Sequence, residues 1–121
     1  MEAKELMIGD KVMVKVLSQI PDTYVLHTWT ANDYSRDIQV KPIPLTPEIL
    51  EKNGWKRNKI FMEIKADENF NINFSWTDRY GESLFQNGYY MCDCKYVHTL
   101  QHALRLCGLD ELADNFKVYE K

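Results

Sequence analysis

The sequence predicts an α+β fold, a curled antiparallel sheet of five or six strands with a short middle helix and a C-terminal helix. Three observations carry this expectation. Runs with strand-like alternation recur between turn signals from residue 11 to residue 93. A proline-led helix interrupts them after residue 46, and a stripe of apolar residues at three- and four-residue spacing closes the chain.

At 121 residues, 45% hydrophobic and 27% charged, the chain matches one domain over residues 1–121 with a core of its own. Plentiful aromatic and β-branched residues with a net charge of only −3 exclude a disordered chain. The acidic balance does not favour nucleic acid, which is bound through dense Lys/Arg patches. The tightest basic group, Lys52, Lys56, Arg57 and Lys59, is flanked by Glu48, Glu51 and Glu63 and reads as a solvated face. No apolar run approaches the roughly 18 residues of a membrane span, and the opening Met1-Glu2-Ala3-Lys4-Glu5 is not a signal peptide. An odd set of three cysteines fits the reducing cytoplasm better than a disulfide-bonded secreted domain.

Taken in order, residues 11–17 alternate and are rich in Val, and Ile8-Gly9-Asp10 forms a tight turn before them. Apolar-Gly-Asp-x-Val-x-Val is a common opening of SH3-like barrels, so the sheet is expected to curl toward a partial barrel of that kind. Residues 24–30 are a second strand, reached from the first through a turn at Ile20-Pro21-Asp22, and residues 36–43 are a third, which Pro42 ends or places at an edge. Thr46 then caps a helix with Pro47 at its first position and Glu48 at its positive end. Asn53-Gly54 stops it and Trp55 folds back on Ile49 or Leu50.

Residues 59–65 lead through Asp67-Glu68-Asn69 into 70–77, where Phe70, Ile72, Phe74 and Trp76 alternate with Asn71, Asn73, Ser75 and Thr77. That is one buried face and one wet face. Tyr80-Gly81 turns the chain, and Asn87-Gly88 is a hairpin signal between SLFQ and YYMC. Val97, Leu100, Leu104 and Cys107 are the core stripe of a helix ended by Gly108, after which Asp110 caps a last turn reaching Phe116.

For chemistry, Cys92, Cys94, His98 and His102 are the candidate metal ligands, because His at i and i+4 share one side of a helix. Cys-x-Cys does not match the two-to-four-residue spacing of zinc knuckles, and both histidines can face solvent, so no metal or other cofactor is expected. No G-x-S-x-G, Walker loop, H-E-x-x-H or G-x-G-x-x-G occurs, and no catalytic residue is assigned. Tyr89 and Tyr90 are neighbours on a strand, so their rings leave on opposite faces and one is outside. With His98 they are the candidate interaction residues, since exposed aromatics concentrate where proteins meet partners.

Three segments recur together: Glu5-Leu6-Met7-Ile8-Gly9-Asp10-Lys11-Val12, Ile43-Pro44-Leu45-Thr46-Pro47-Glu48-Ile49-Leu50 with Gly54-Trp55, and Lys95-Tyr96-Val97-His98-Thr99-Leu100-Gln101. In this order and spacing the chain resembles a family of short proteins encoded on phages and integrated elements of gut Bacteroidales. The resemblance spans nearly the whole chain and implies a fold and a genomic setting rather than an activity. The family carries Asn where this chain has His102, and its motif omits the cysteines, which bears further against zinc. His98 and Gln101 match the motif, with the expected role of holding the helix start against the sheet. The His98 ring is expected to hydrogen-bond a backbone group at that junction.

The resulting expectation is a non-enzymatic accessory or interaction module of a phage or mobile element, acting through an unknown protein partner or as a homo-oligomer. A small β-barrel nucleic-acid binder is the first alternative, and a small enzyme or metal-dependent domain the second.

Overall fold

The protein is described by a computed structural model over residues 5–16, 24–35, 38–58, 61–67, 70–77, 81–87 and 89–118. Strands β1 (Lys11–Val16), β2 (Val25–Thr28) and β3 (Ile38–Lys41) come first, with a 3-10 turn over Ala31–Ser35. Helix α1 (Pro47–Lys52) follows, then β4 (Lys56–Asn58), β5 (Phe61–Asp67), β6 (Phe70–Thr77), β7 (Gly81–Gln86) and β8 (Tyr89–Asp93). Helices α2 (Val97–Leu106) and α3 (Asp110–Asp114) end the described chain.

The α+β class stands, but the sheet count differs from the single curled sheet of five or six strands. The described residues form eight strands in two antiparallel sheets, ordered β2-β1-β3 and β4-β5-β6-β7-β8. Neither sheet closes, so there is no barrel among the described residues. The Val-rich β1 takes a partner on each side and completes a separate sheet. The extra strand β4 (KRN) has no apolar alternation for a sequence reading to find, and its pairing with β5 alone defines it. The turns at Ile20-Pro21-Asp22, Glu68-Asn69, Tyr80 and Gly88 lie outside the described residues.

Contacts divide the chain into two compact units, Met1–Pro44 with Tyr96–Phe116, and Leu45–Lys95 with Lys117–Lys121. In the first unit Leu6, Val12, Val14 and Trp29 cluster in the core, with Ile38 and Val40 packed against them. Helix α2 buries Val97, Leu100, Ala103 and Leu104, the face its apolar stripe marks. Val97 N–H bonds the Ile43 carbonyl at 2.9 Å, so the helix starts from a bridge between Pro44 and Tyr96. Gly108 at φ +79° turns the chain out of α2. Asp110 is the first residue of α3 rather than its cap, which is Leu109 and gives no side-chain bond.

The second unit follows the sequence closely. Thr46 accepts from Ile49 N–H at 3.2 Å at the start of α1, and Gly54 sits at φ +86° just beyond its end. Trp55 N–H returns to the Leu50 carbonyl and both side chains are buried. The chain's last described residues are tied back here, as Asn53 donates to the Lys117 carbonyl at 2.7 Å and accepts from its N–H at 2.7 Å. In β6, Ile72 and Phe74 are buried as the alternation requires. The opposite face is not fully wet: Asn71, Asn73 and Ser75 are half-buried.

Candidate functional site

In the first unit, Met7-Ile8-Gly9-Asp10 closes a turn in which Asp10 N–H bonds the Met7 carbonyl at 3.1 Å. Gly9 holds the third position at φ +96°, a conformation that tight turns reserve for glycine. A Cβ there would also meet Arg105 Nη2 at 2.9 Å and Asp114 Oδ1 at 3.0 Å, so the turn and the C-terminal helices approach as closely as atoms allow.

The turn delivers the Asp10 carboxylate, fully buried, to one side of α2. Asp10 Oδ2 accepts from Met7 N–H at 2.8 Å and pairs with His102 Nε2 at 2.5 Å, and Oδ1 accepts from Arg105 Nη1 at 2.6 Å. Burial alone would raise its pKa, but the bonds from His102, Met7 and Arg105 together hold it below the usual carboxylate value. Arg105 reaches on to Asp114 at 3.3 Å. Beside this cluster lies Gln101, also fully buried. Its Oε1 accepts from Lys11 N–H at 2.8 Å, while Nε2 donates to the Gly9 carbonyl at 3.0 Å and the Ala113 carbonyl at 2.9 Å. One carboxylate and one carboxamide thus join the opening turn, β1, α2 and α3.

A second buried carboxylate repeats the device near β2. Asp33 Oδ2 accepts from Thr30 N–H at 2.8 Å and Thr30 Oγ1 at 2.9 Å, and pairs with His27 Nε2 at 2.6 Å. His27 lies edge-on to Trp29, and Trp29 to Tyr34.

His98 departs from expectation: it is buried, at 8% exposure, rather than solvent-facing. Its buried Nδ1 has no hydrogen-bond partner among the described residues. The ring stacks on Tyr96 at 5.9 Å and meets the edge of His102 at 5.6 Å, so packing positions it. His102 is likewise not free in solvent, because it is tied to Asp10.

Burial first, and His102 second, push the His98 pKa down, against opposing pulls from the Asp10 and Glu5 carboxylates. A neutral ring in the folded state contributes stability that is complete above the unfolded value of 6.5 and is lost as pH falls through the lower folded value. We therefore expect His98→Leu to flatten the loss of stability over the pH range below about 6.5. Urea unfolding of both proteins across that interval measures this, and identical pH slopes would refute it.

Of the metal candidates, Cys92 and Cys94 belong to the second unit and His98 and His102 to the first. Among the described residues no group of three or more His, Cys, Asp or Glu is placed to hold an ion. Burial, with the nearby Cys92, raises the Cys94 pKa far above the ordinary thiol range, so it is a protonated core residue at neutral pH.

The third pair of candidates is displayed on the surface of the second unit. Tyr89 is 80% and Tyr90 57% exposed, and both lie on β8, the last strand of its sheet. Each residue was expected on a different face with one ring outside; an edge strand leaves both outside. Cys92 pairs with Leu84 and Tyr90 with Phe85, so Met91 is an extra, bulged residue. Tyr90 donates its hydroxyl to Asp93 Oδ1 at 2.8 Å, and its ring meets Phe85 at 5.9 Å.

The buried partners Asp10 and Arg105 had no signal in the sequence beyond the Gly-Asp turn and one basic residue in the last turn of a helix. Compared with known protein families, curated proteins and solved structures, the chain matches none.

Proposed function

We propose that this protein is a non-enzymatic interaction module of a phage or mobile element, working in the cytoplasm and binding a protein partner or further copies of itself through the β8 edge. The observation that carries this reading is the adjacent pair Tyr89 and Tyr90, both exposed on β8, the last strand of its sheet among the described residues. Large exposed rings on an edge strand are what strand-adding partners use. The polar side chains that could serve catalysis are instead consumed within the first unit, where Asp10, Gln101 and Arg105 bond to one another's elements. No disulfide joins the three cysteines, which suits a reducing compartment. No described helix is long and apolar enough to cross a membrane. A barrel-type nucleic-acid binder has less support, because the β2-β1-β3 sheet is open and Arg57 stands 3.9 Å from Glu51.

Photo-crosslinking tests the proposal. A benzophenone amino acid at position 89 should give a discrete adduct in cells carrying the gene, and one at the exposed Glu111 should not. The adduct should vanish when Tyr90→Lys is added. Equal labelling at both positions, or none at position 89, would overturn the reading.

A further inference from the structure

The two edges of the five-stranded sheet are chemically unlike. At one, β4 presents Lys56 and Arg57, both exposed. At the other, β8 presents Tyr89, Tyr90 and Asp93, all exposed, and no basic residue. The register connects them. Lys56 pairs with Glu63, Glu63 with Asn73, Asn73 with Phe85, and Phe85 with Tyr90, an unbroken row across one face from edge to edge. Directly opposed residues share a face. Asp93, opposite Ser83, joins that face because Ser83 opposes Ser75, two positions along β6 from Asn73. Arg57 belongs to the other face with Met62 and Phe74, where Gln86 and Tyr89 also lie.

We infer that these edges join copies of this chain head to tail, β8 of one copy beside β4 of the next, a contact that rests on the interaction role proposed for β8. Five alternating strands leave β4 and β8 running in the same direction, so a copy advanced by one sheet width adds its β4 to β8 as a parallel neighbour, face matched to face. Lys56 then meets the Tyr90 ring and the Asp93 carboxylate that Tyr90 already engages. Arg57, whose guanidinium lies 5.4 Å from the Trp76 ring, is on the opposite face and stands diagonal to Tyr89, two positions along and within reach of a long side chain. A cation over an aromatic ring and an ammonium near a carboxylate are both attractive. Pairing unlike edges is heterologous and does not close on itself, so the assembly grows beyond two copies. The Met91 bulge and the three-residue length of β4 keep the contact short, which makes it reversible.

Sedimentation equilibrium tests this on the whole chain of 14.3 kDa. The mean mass of the natural protein should climb past two chains as concentration rises, and fall back as salt goes from about 0.1 to 1 M, where the screening length shrinks from about 10 to about 3 Å. Lys56→Glu with Arg57→Glu leaves only β8 competent, and Tyr90→Lys with Asp93→Lys leaves only β4. Each doubly substituted protein alone should remain a single chain, and an equimolar mixture should double in mass and stop. All four side chains are exposed, so circular dichroism should be unchanged. If a doubly substituted protein loses its fold, Lys56→Glu and Asp93→Lys singly replace it in the same mixing test. A natural protein that stays at one chain, a β4-substituted protein that still dimerises through β8 alone, or a mixture without dimer overturns the inference. A monomeric natural protein that keeps its position-89 adduct overturns self-assembly only, whereas loss of both removes the partner reading as well.

Discussion

Replacing Gln101 by Leu should lower the unfolding free energy by about 3–5 kcal/mol, since each buried polar group left unpaired costs about 1–3 kcal/mol. The substitution keeps the volume but strands the Lys11 N–H and the Gly9 and Ala113 carbonyls at once. Gln101 is fully buried, so water cannot easily take its place. Gln101→Glu separates the parts of this effect. It keeps an oxygen for Lys11 N–H but turns the donor toward Gly9 and Ala113 into a second oxygen, so near pH 7 it should be at least as damaging as Leu. Denaturant unfolding measures both. A loss under about 1 kcal/mol for Leu, the net worth of a single ordinary hydrogen bond, would show that the three bonds are not jointly made.

The second large effect concerns Asp10. Asp10→Ala should cost about 3–5 kcal/mol, the range found when one partner of a buried ion pair is removed. The Arg105 side chain, 12% exposed, would keep Asp114 at 3.3 Å as its ion-pair partner among the described residues. The carboxylate also shapes the acid limb of stability. Its folded pKa lies below the unfolded value of 3.8, so its contribution is present above that value and is lost as pH falls through the lower one. Asp10→Ala should therefore remove part of the acid sensitivity below about pH 4 while lowering stability at pH 7. Chemical unfolding at pH 7 and at pH 3 reads both changes. A variant as stable as the natural protein at pH 7, or one that loses as much on acidification, would contradict the geometry.

Local chemistry was legible in the sequence, and long-range chemistry was not. Thr46, Pro47 and Gly54 define α1 because capping and left-handed turns depend on residues within a few positions. Strand β6 was readable because period two survives in Phe70-Asn71-Ile72-Asn73-Phe74. The strand β4 was not, since Lys56-Arg57-Asn58 carries no pattern and owes its existence to β5. Ile8-Gly9-Asp10 announced a turn, but the use of its carboxylate depends on residues 92 and 95 positions away. His98 sits in the first turn of α2, and its stacking on Tyr96 and edge contact with His102 were not legible, since ring packing has no sequence signature. The two tyrosines were picked out as a pair, and edge position decides that both are displayed.

The separation of Asp10 from Arg105 by 95 positions also imposes an order on synthesis. At about 5–20 residues per second, roughly 5–20 s pass between the two being made. During that delay the first unit lacks α2 and α3, and Asp10 and the Lys11 N–H lack their eventual partners. Val12 and Trp29, completely buried in the finished protein, belong to a core made early whose unit is completed late. Residues 45–95 form a run of neighbouring strands that pair locally, a topology that folds fast because its loops are short. The nascent chain is thus an early meander flanked by an unfinished amino-terminal sheet, and cellular chaperones would meet it in that form.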